Sequence, residues 1–68
     1  MYIRLLNEGT TVYRPVPASQ ITSNIYILNG ADIYDPEVEE WEFVPGSRVI
    51  VEKRQLEKGE VLVAVAKD

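Results

Sequence analysis

Ile3 and Leu5 flank Arg4 in the segment Tyr2 to Leu6, and this period of two predicts a half-buried strand. Asn7-Glu8-Gly9 then has turn chemistry, because Asn and Gly tolerate positive φ. Thr10 to Ala18 is rich in β-branched and aromatic residues and reads as extended. Pro15 and Pro17 cannot donate to a ladder, so the segment is an edge strand or one that bends there. Alternation puts Arg14 on one face with Val12, Val16 and Ala18. Either a bulge re-aims Arg14, or its charge sits at the rim of the core and pairs with a carboxylate.

After a second turn at Thr22-Ser23-Asn24, Ile25 to Leu28 is apolar on both faces, the pattern of a strand covered on both sides. Asn29-Gly30 would suit a hairpin, but no alternating pattern resumes after it, so a longer loop is expected. In that loop Asp35-Pro36-Glu37 resembles a helix start, with Asp as cap and Pro at the first position. One helical or 3₁₀ turn follows from this, with Val38 and Trp41 on a shared face. Trp41-Glu42-Phe43 alternates like a short strand. Arg48 to Gln55 and Glu60 to Ala66 both alternate, and Leu56-Glu57-Lys58-Gly59 joins them into a hairpin with Gly59 at positive φ. Short strands and frequent turns predict an all-β fold, a five- to six-stranded SH3-like barrel with at most one short helical turn. The 68 residues form one domain, 1–68, with no internal repeat.

Composition removes whole classes of chemistry. The chain has no Cys and no His, so disulfides, thiolate nucleophiles, sulfur-ligated metals and His-based acid–base work are absent. The glycines stand singly, so there is no phosphate-cradling loop. Two carboxylates can hydrolyse glycosides, but they need a cleft that so short a chain can hardly build. The expectation is a non-enzyme with no cofactor and no metal site. The longest strictly apolar run, Val61 to Ala66, is far below the roughly twenty residues that span a bilayer. The start lacks a basic region followed by an apolar stretch, so no secretory signal, no membrane partner and a cytoplasmic location are expected.

Charge is unevenly placed. Asp32, Asp35, Glu37, Glu39, Glu40 and Glu42 fall within eleven residues that contain no base, whereas the rest of the chain has five acids and seven bases. The net charge of −4 therefore arises from one loop.

The words Glu8-Gly9-Thr10, Arg14-Pro15-Val16, Glu40-Trp41-Glu42-Phe43, Pro45-Gly46 and Leu62-Val63-Ala64-Val65 resemble a pattern found in a group of small bacterial proteins described as hypothetical. The resemblance covers nearly the whole chain, with Tyr13 in place of an expected Trp and Val51 in place of an expected Cys. It implies a bacterial origin and a single domain, and no activity.

Two function classes follow. In the first, the chain is a protein-interaction module whose acidic aromatic loop, 32–42, meets a basic protein partner. Tyr34, Asp35, Glu37, Glu39, Glu40 and Trp41 are then the contact residues, with a Tyr34 or Trp41 ring as desolvated anchor. The plain alternative is a solvated loop, with Trp41 and Phe43 plugging one end of the barrel. In the second class, a nucleic-acid-associated barrel uses the basic hairpin 48–58 with Arg48, Lys53, Arg54 and Lys58. An acidic pI near 4.7 argues against nucleic acid as a partner. A homodimer is a further expectation, because it adds buried area to a small core, with Ile25–Leu28 as the pairing segment.

Overall fold

The computed structural model describes all residues from Met1 to Asp68. It is all-β. Seven strands form: β1 Tyr2–Leu6, β2 Tyr13–Pro15, β3 Ala18–Gln20, β4 Ile25–Leu28, β5 Glu40–Trp41, β6 Arg48–Leu56 and β7 Gly59–Lys67. The strand number exceeds the expected five to six because the prolines divide one extended segment into two strands. β2 ends at Pro15 and β3 begins at Ala18. The sheet order is β2-β1-β7-β6-β4-β3, so these two consecutive strands are its opposite edges. Only two residues separate the edges along the chain, which forces the sheet to curl into a half-barrel. The prolines thus sit where no ladder donor is needed.

β4 pairs β3 on one side and β6 on the other. The expectation of Ile25–Leu28 as a dimer edge is therefore corrected: both of its backbone edges are already bonded. β1 is bordered by β2 on one side; its other edge pairs β7 in parallel at Tyr2 and β5 at Leu5 and Leu6.

The β6–β7 hairpin is the longest element and closes through Glu57-Lys58, with Leu56 opposite Gly59 at φ +116°. Glycine meets no Cβ penalty at such a φ. Register shifts between Ile50, opposite Ala66, and Val51, opposite Ala64, which leaves Val65 as an extra residue. A bulge of this kind bends and twists the strand. Beyond it the distal half of the hairpin, from Glu52 to Leu62, leaves the sheet body as an arm: β4 reaches only Ile50 on one edge, and β1 only Val63 on the other.

Two apolar clusters fill the inside. Ile3, Leu5, Val16, Leu28 and Trp41 form one, and Val49, Val51 and Ala64 the other. Met1 and Phe43 pack against both and join them. The expected role of Phe43 as an apolar plug thus takes the form of a bridge.

Candidate interaction surface

The chain between β4 and β5 is held as a structured loop. Tyr34 N–H and Ile33 N–H both donate to Gly30 C=O at 2.9 and 3.0 Å, which starts the loop with a tight reversal. Asp35 then accepts from the Glu37 N–H through its side chain (3.0 Å), while its carbonyl accepts from Val38 and Glu39 N–H. The Asp cap is as the spacing predicts, but the turn is not propagated into a helix. Pro36 supplies the start, and Glu40 is drawn into β5 against Leu6. With no continued helix, Val38 and Trp41 do not share a face. Val38 is 78% exposed and Trp41 is 2% exposed.

The loop is fastened to the body by charge and by an aromatic pair. Glu39 accepts from Trp41 Nε1–H at 3.2 Å and lies 3.0 Å from Arg14 Nε. The Arg14 Nε–H is buried and poorly aligned for a hydrogen bond, so the contact acts as an ion pair across two elements. Arg14, the odd residue of the β2 pattern, thus sits at the core rim and meets a carboxylate. Tyr34 stacks on Trp41 with ring centroids 4.7 Å apart and planes inclined at 47°. Asn7 donates to Glu40 at 2.6 Å.

These contacts sort the six residues expected to bind a partner. Trp41 belongs to the core, and Tyr34 is half-buried against it, so neither ring is a free anchor. Glu39 holds the loop in place. Asp35, Glu37 and Glu40 are exposed, Asp35 also capping its own turn. No three acidic side chains are grouped so as to hold a metal ion. The contacts the pattern missed are Ile33 and Val38, 48% and 78% exposed among these acids. The available signal was a β-branched residue in Glu37-Val38-Glu39-Glu40, outside any strand and so without a core to face.

Replacing Glu39 with Gln keeps an acceptor for the Trp41 indole but removes the charge facing Arg14. The expected loss is below about 1 kcal/mol, since both partners retain solvent contact. Glu39→Ala also orphans the indole N–H and is expected to cost about 1–3 kcal/mol. Urea unfolding followed by the fluorescence of the single Trp measures both.

The basic hairpin has little spare charge. Arg48 pairs with Asp68 at 2.8 Å, Arg54 with Glu52 at 2.7 Å and Lys53 with Glu60 at 3.9 Å. The hydrogen bond from Arg54 to Glu52, then the Glu52 charge, raise the Arg54 pKa above its ordinary value, with Tyr13 a smaller contributor. The hairpin tip also faces the outer side of β1 and β2 across a groove of about 560 Å³. Tyr2, Tyr13 and Pro15 line one wall, and Leu56, Lys58 and Val61 the other. No helix is long and apolar enough to cross a membrane. No protein family, curated protein or solved structure matches the chain.

Proposed function

We propose that the protein is a small cytoplasmic interaction module, not an enzyme, whose loop 32–42 docks a basic protein partner. The observation that carries this reading is Val38, 78% exposed on a loop fastened through Arg14, Glu39 and Trp41. Val38 is the most exposed of the chain's four exposed large apolar side chains, and holding such a side chain in one position lowers the entropic cost of docking onto it. Ile33 is a second exposed apolar side chain of the same loop, which also carries the exposed acids Asp32, Asp35, Glu37 and Glu40. Charges at a rim attract at a distance and fix orientation, while affinity comes from the desolvated centre. Val38 is that centre, and Tyr34 supports the loop from behind.

The test separates the two contributions. A synthetic amphipathic peptide with leucine and lysine at helical spacing serves as the partner, with both rates measured by surface plasmon resonance. Asp32→Asn with Glu37→Gln is expected to slow association and flatten its salt dependence, leaving dissociation nearly unchanged. Val38→Ser is expected to speed dissociation several-fold with little change in association. If both variants match the parent in both rates, the loop is a solvated surface and the proposal fails.

A further inference from the structure

Asn29-Gly30 would suit a hairpin turn, yet the chain uses it to leave β4 and enter the acidic loop. The pair also carries a chemistry of its own. The backbone nitrogen that follows an asparagine can attack the side-chain carbonyl carbon and close a five-membered imide, which is what makes asparagine thermolabile. Two things hold the reaction back in a folded chain. A side chain on the following residue crowds the ring, and a hydrogen bond from its N–H has to break first.

Neither restraint is present at Asn29. Gly30 has no side chain, and its N–H donates to no acceptor. Gly30 is nevertheless buried, and buried N–H groups without a partner are rare in folded proteins. Only packing has to give way for base to reach that proton. Asn29 itself is exposed, so its side chain is open to water. Its Nδ2–H donates to Ser19 Oγ at 2.9 Å, which puts a hydroxyl beside the nitrogen that has to leave. The other two asparagines lack this combination. Asn24 precedes β-branched Ile25, whose N–H is held by Thr22 Oγ1 at 3.1 Å, and Asn7 precedes Glu8.

We propose that Asn29 is a self-modification site, deamidated through Gly30 in the folded protein with water as co-reactant. Hydroxide removes the Gly30 N–H proton, and the nitrogen bonds to Asn29 Cγ while the carbonyl π pair moves to Oδ1. The oxyanion collapses, the Cγ–Nδ2 bond breaks, and Nδ2 leaves as ammonia with the proton of the Ser19 hydroxyl. Ser19 regains a proton from water, which regenerates hydroxide. Water then opens the imide. Cleavage at Cγ leaves aspartate on an unchanged backbone. Cleavage at the Asn29 main-chain carbonyl leaves isoaspartate, whose backbone is longer by one methylene. Both products add one negative charge to the −4 of the chain, but only isoaspartate moves the loop. Gly30 C=O holds the Ile33 and Tyr34 N–H groups, and a Cβ on Gly30 would stand 3.2 Å from Trp41 Cη2, so this junction has no slack for an extra methylene. The site is a one-way switch at the loop root, and it operates whether or not the loop docks a partner.

Incubation of the full chain in heavy-oxygen water at neutral and mildly alkaline pH tests this, with peptide mapping by mass spectrometry and isoaspartate counted by an isoaspartyl methyltransferase. Label is expected at Asn29 well before Asn7 or Asn24, at a rate that rises with pH. Asn29→Gln, which would need a six-membered ring, should abolish it. Ser19→Ala should slow it several-fold and Ser19→Thr restore it, with an unchanged circular dichroism spectrum because position 19 is exposed. Asn29→Asp has the new charge on an unchanged backbone and should keep the parental Trp41 emission. Incubated wild type should instead shift its emission in step with its isoaspartate content. Native protein that keeps Asn29 intact while the urea-unfolded chain is labelled would overturn the proposal, as would labelling of Asn29 no faster than of Asn7 and Asn24. An unshifted emission at high isoaspartate content would overturn the switch, and a parental rate in Ser19→Ala would overturn the role of its hydroxyl.

Discussion

Trp41→Ala is expected to leave the domain largely unfolded at physiological temperature. The ring is 2% exposed and is the largest side chain in a cluster of only five buried residues. Truncating a buried Trp costs about 3–5 kcal/mol in transfer and cavity terms. A domain of 68 residues has roughly 3–10 kcal/mol of total stability at typical per-residue values. The same change strips Tyr34 of its stacking partner and leaves Glu39 with Arg14 alone. Far-UV circular dichroism during urea unfolding is the appropriate readout, since the variant has no Trp to report. Trp41→Phe should recover much of the loss, because it keeps a ring against Tyr34 and forfeits the indole hydrogen bond. A stable, cooperatively folding Trp41→Ala variant would place the weight of the core elsewhere.

Gly30→Ala is expected to destabilise by about 2–3 kcal/mol, an unusual cost for adding one methyl group. Two causes act together. The residue has φ +97°, where a side chain is strained. A Cβ there would also stand 3.2 Å from Trp41 Cη2 and 3.3 Å from Ile33 Cγ1. Gly30 carbonyl accepts from both Ile33 and Tyr34, so the displacement falls on the start of the acidic loop. The loss is expected as a lower urea midpoint together with a shifted Trp41 emission. Unchanged emission with an unchanged midpoint would mean that the loop start is not fixed as described.

Much of the fold is legible because the elements that carry it are local. The final hairpin follows from two alternating runs and a glycine, and the Asp35 cap from three residues in order. Arg14 was legible as an inconsistency: a base on an apolar phase needs a carboxylate, and Glu39 provides it. Pairings between distant segments left no local trace. The parallel contact of Tyr2 with Val63 and the assignment of β2 and β3 to opposite edges depend on how the sheet curls. Helical spacing misplaced Val38 and Trp41, because the pull of β5 onto β1 overrides a turn that local signals only begin. The groove was illegible for the same reason as the parallel pair: Tyr2, Tyr13 and Val61 come from three separate stretches. The aromatic residues Tyr2 and Tyr13 on outward strand positions were its one sequence trace.

The claim that loop 32–42 is a held surface with Val38 at its centre is tested most directly by nuclear magnetic resonance. Isotope-labelled protein is titrated with the lysine–leucine peptide, and backbone shifts are mapped along the chain. The account predicts perturbations centred on Ile33, Asp35, Glu37, Val38 and Glu40, with Trp41 and the β6–β7 root nearly unmoved, and loss of the pattern in Val38→Ser. Shifts spread evenly over acids outside the loop, such as Glu8 and Glu57, or a pattern that survives Val38→Ser, would contradict it.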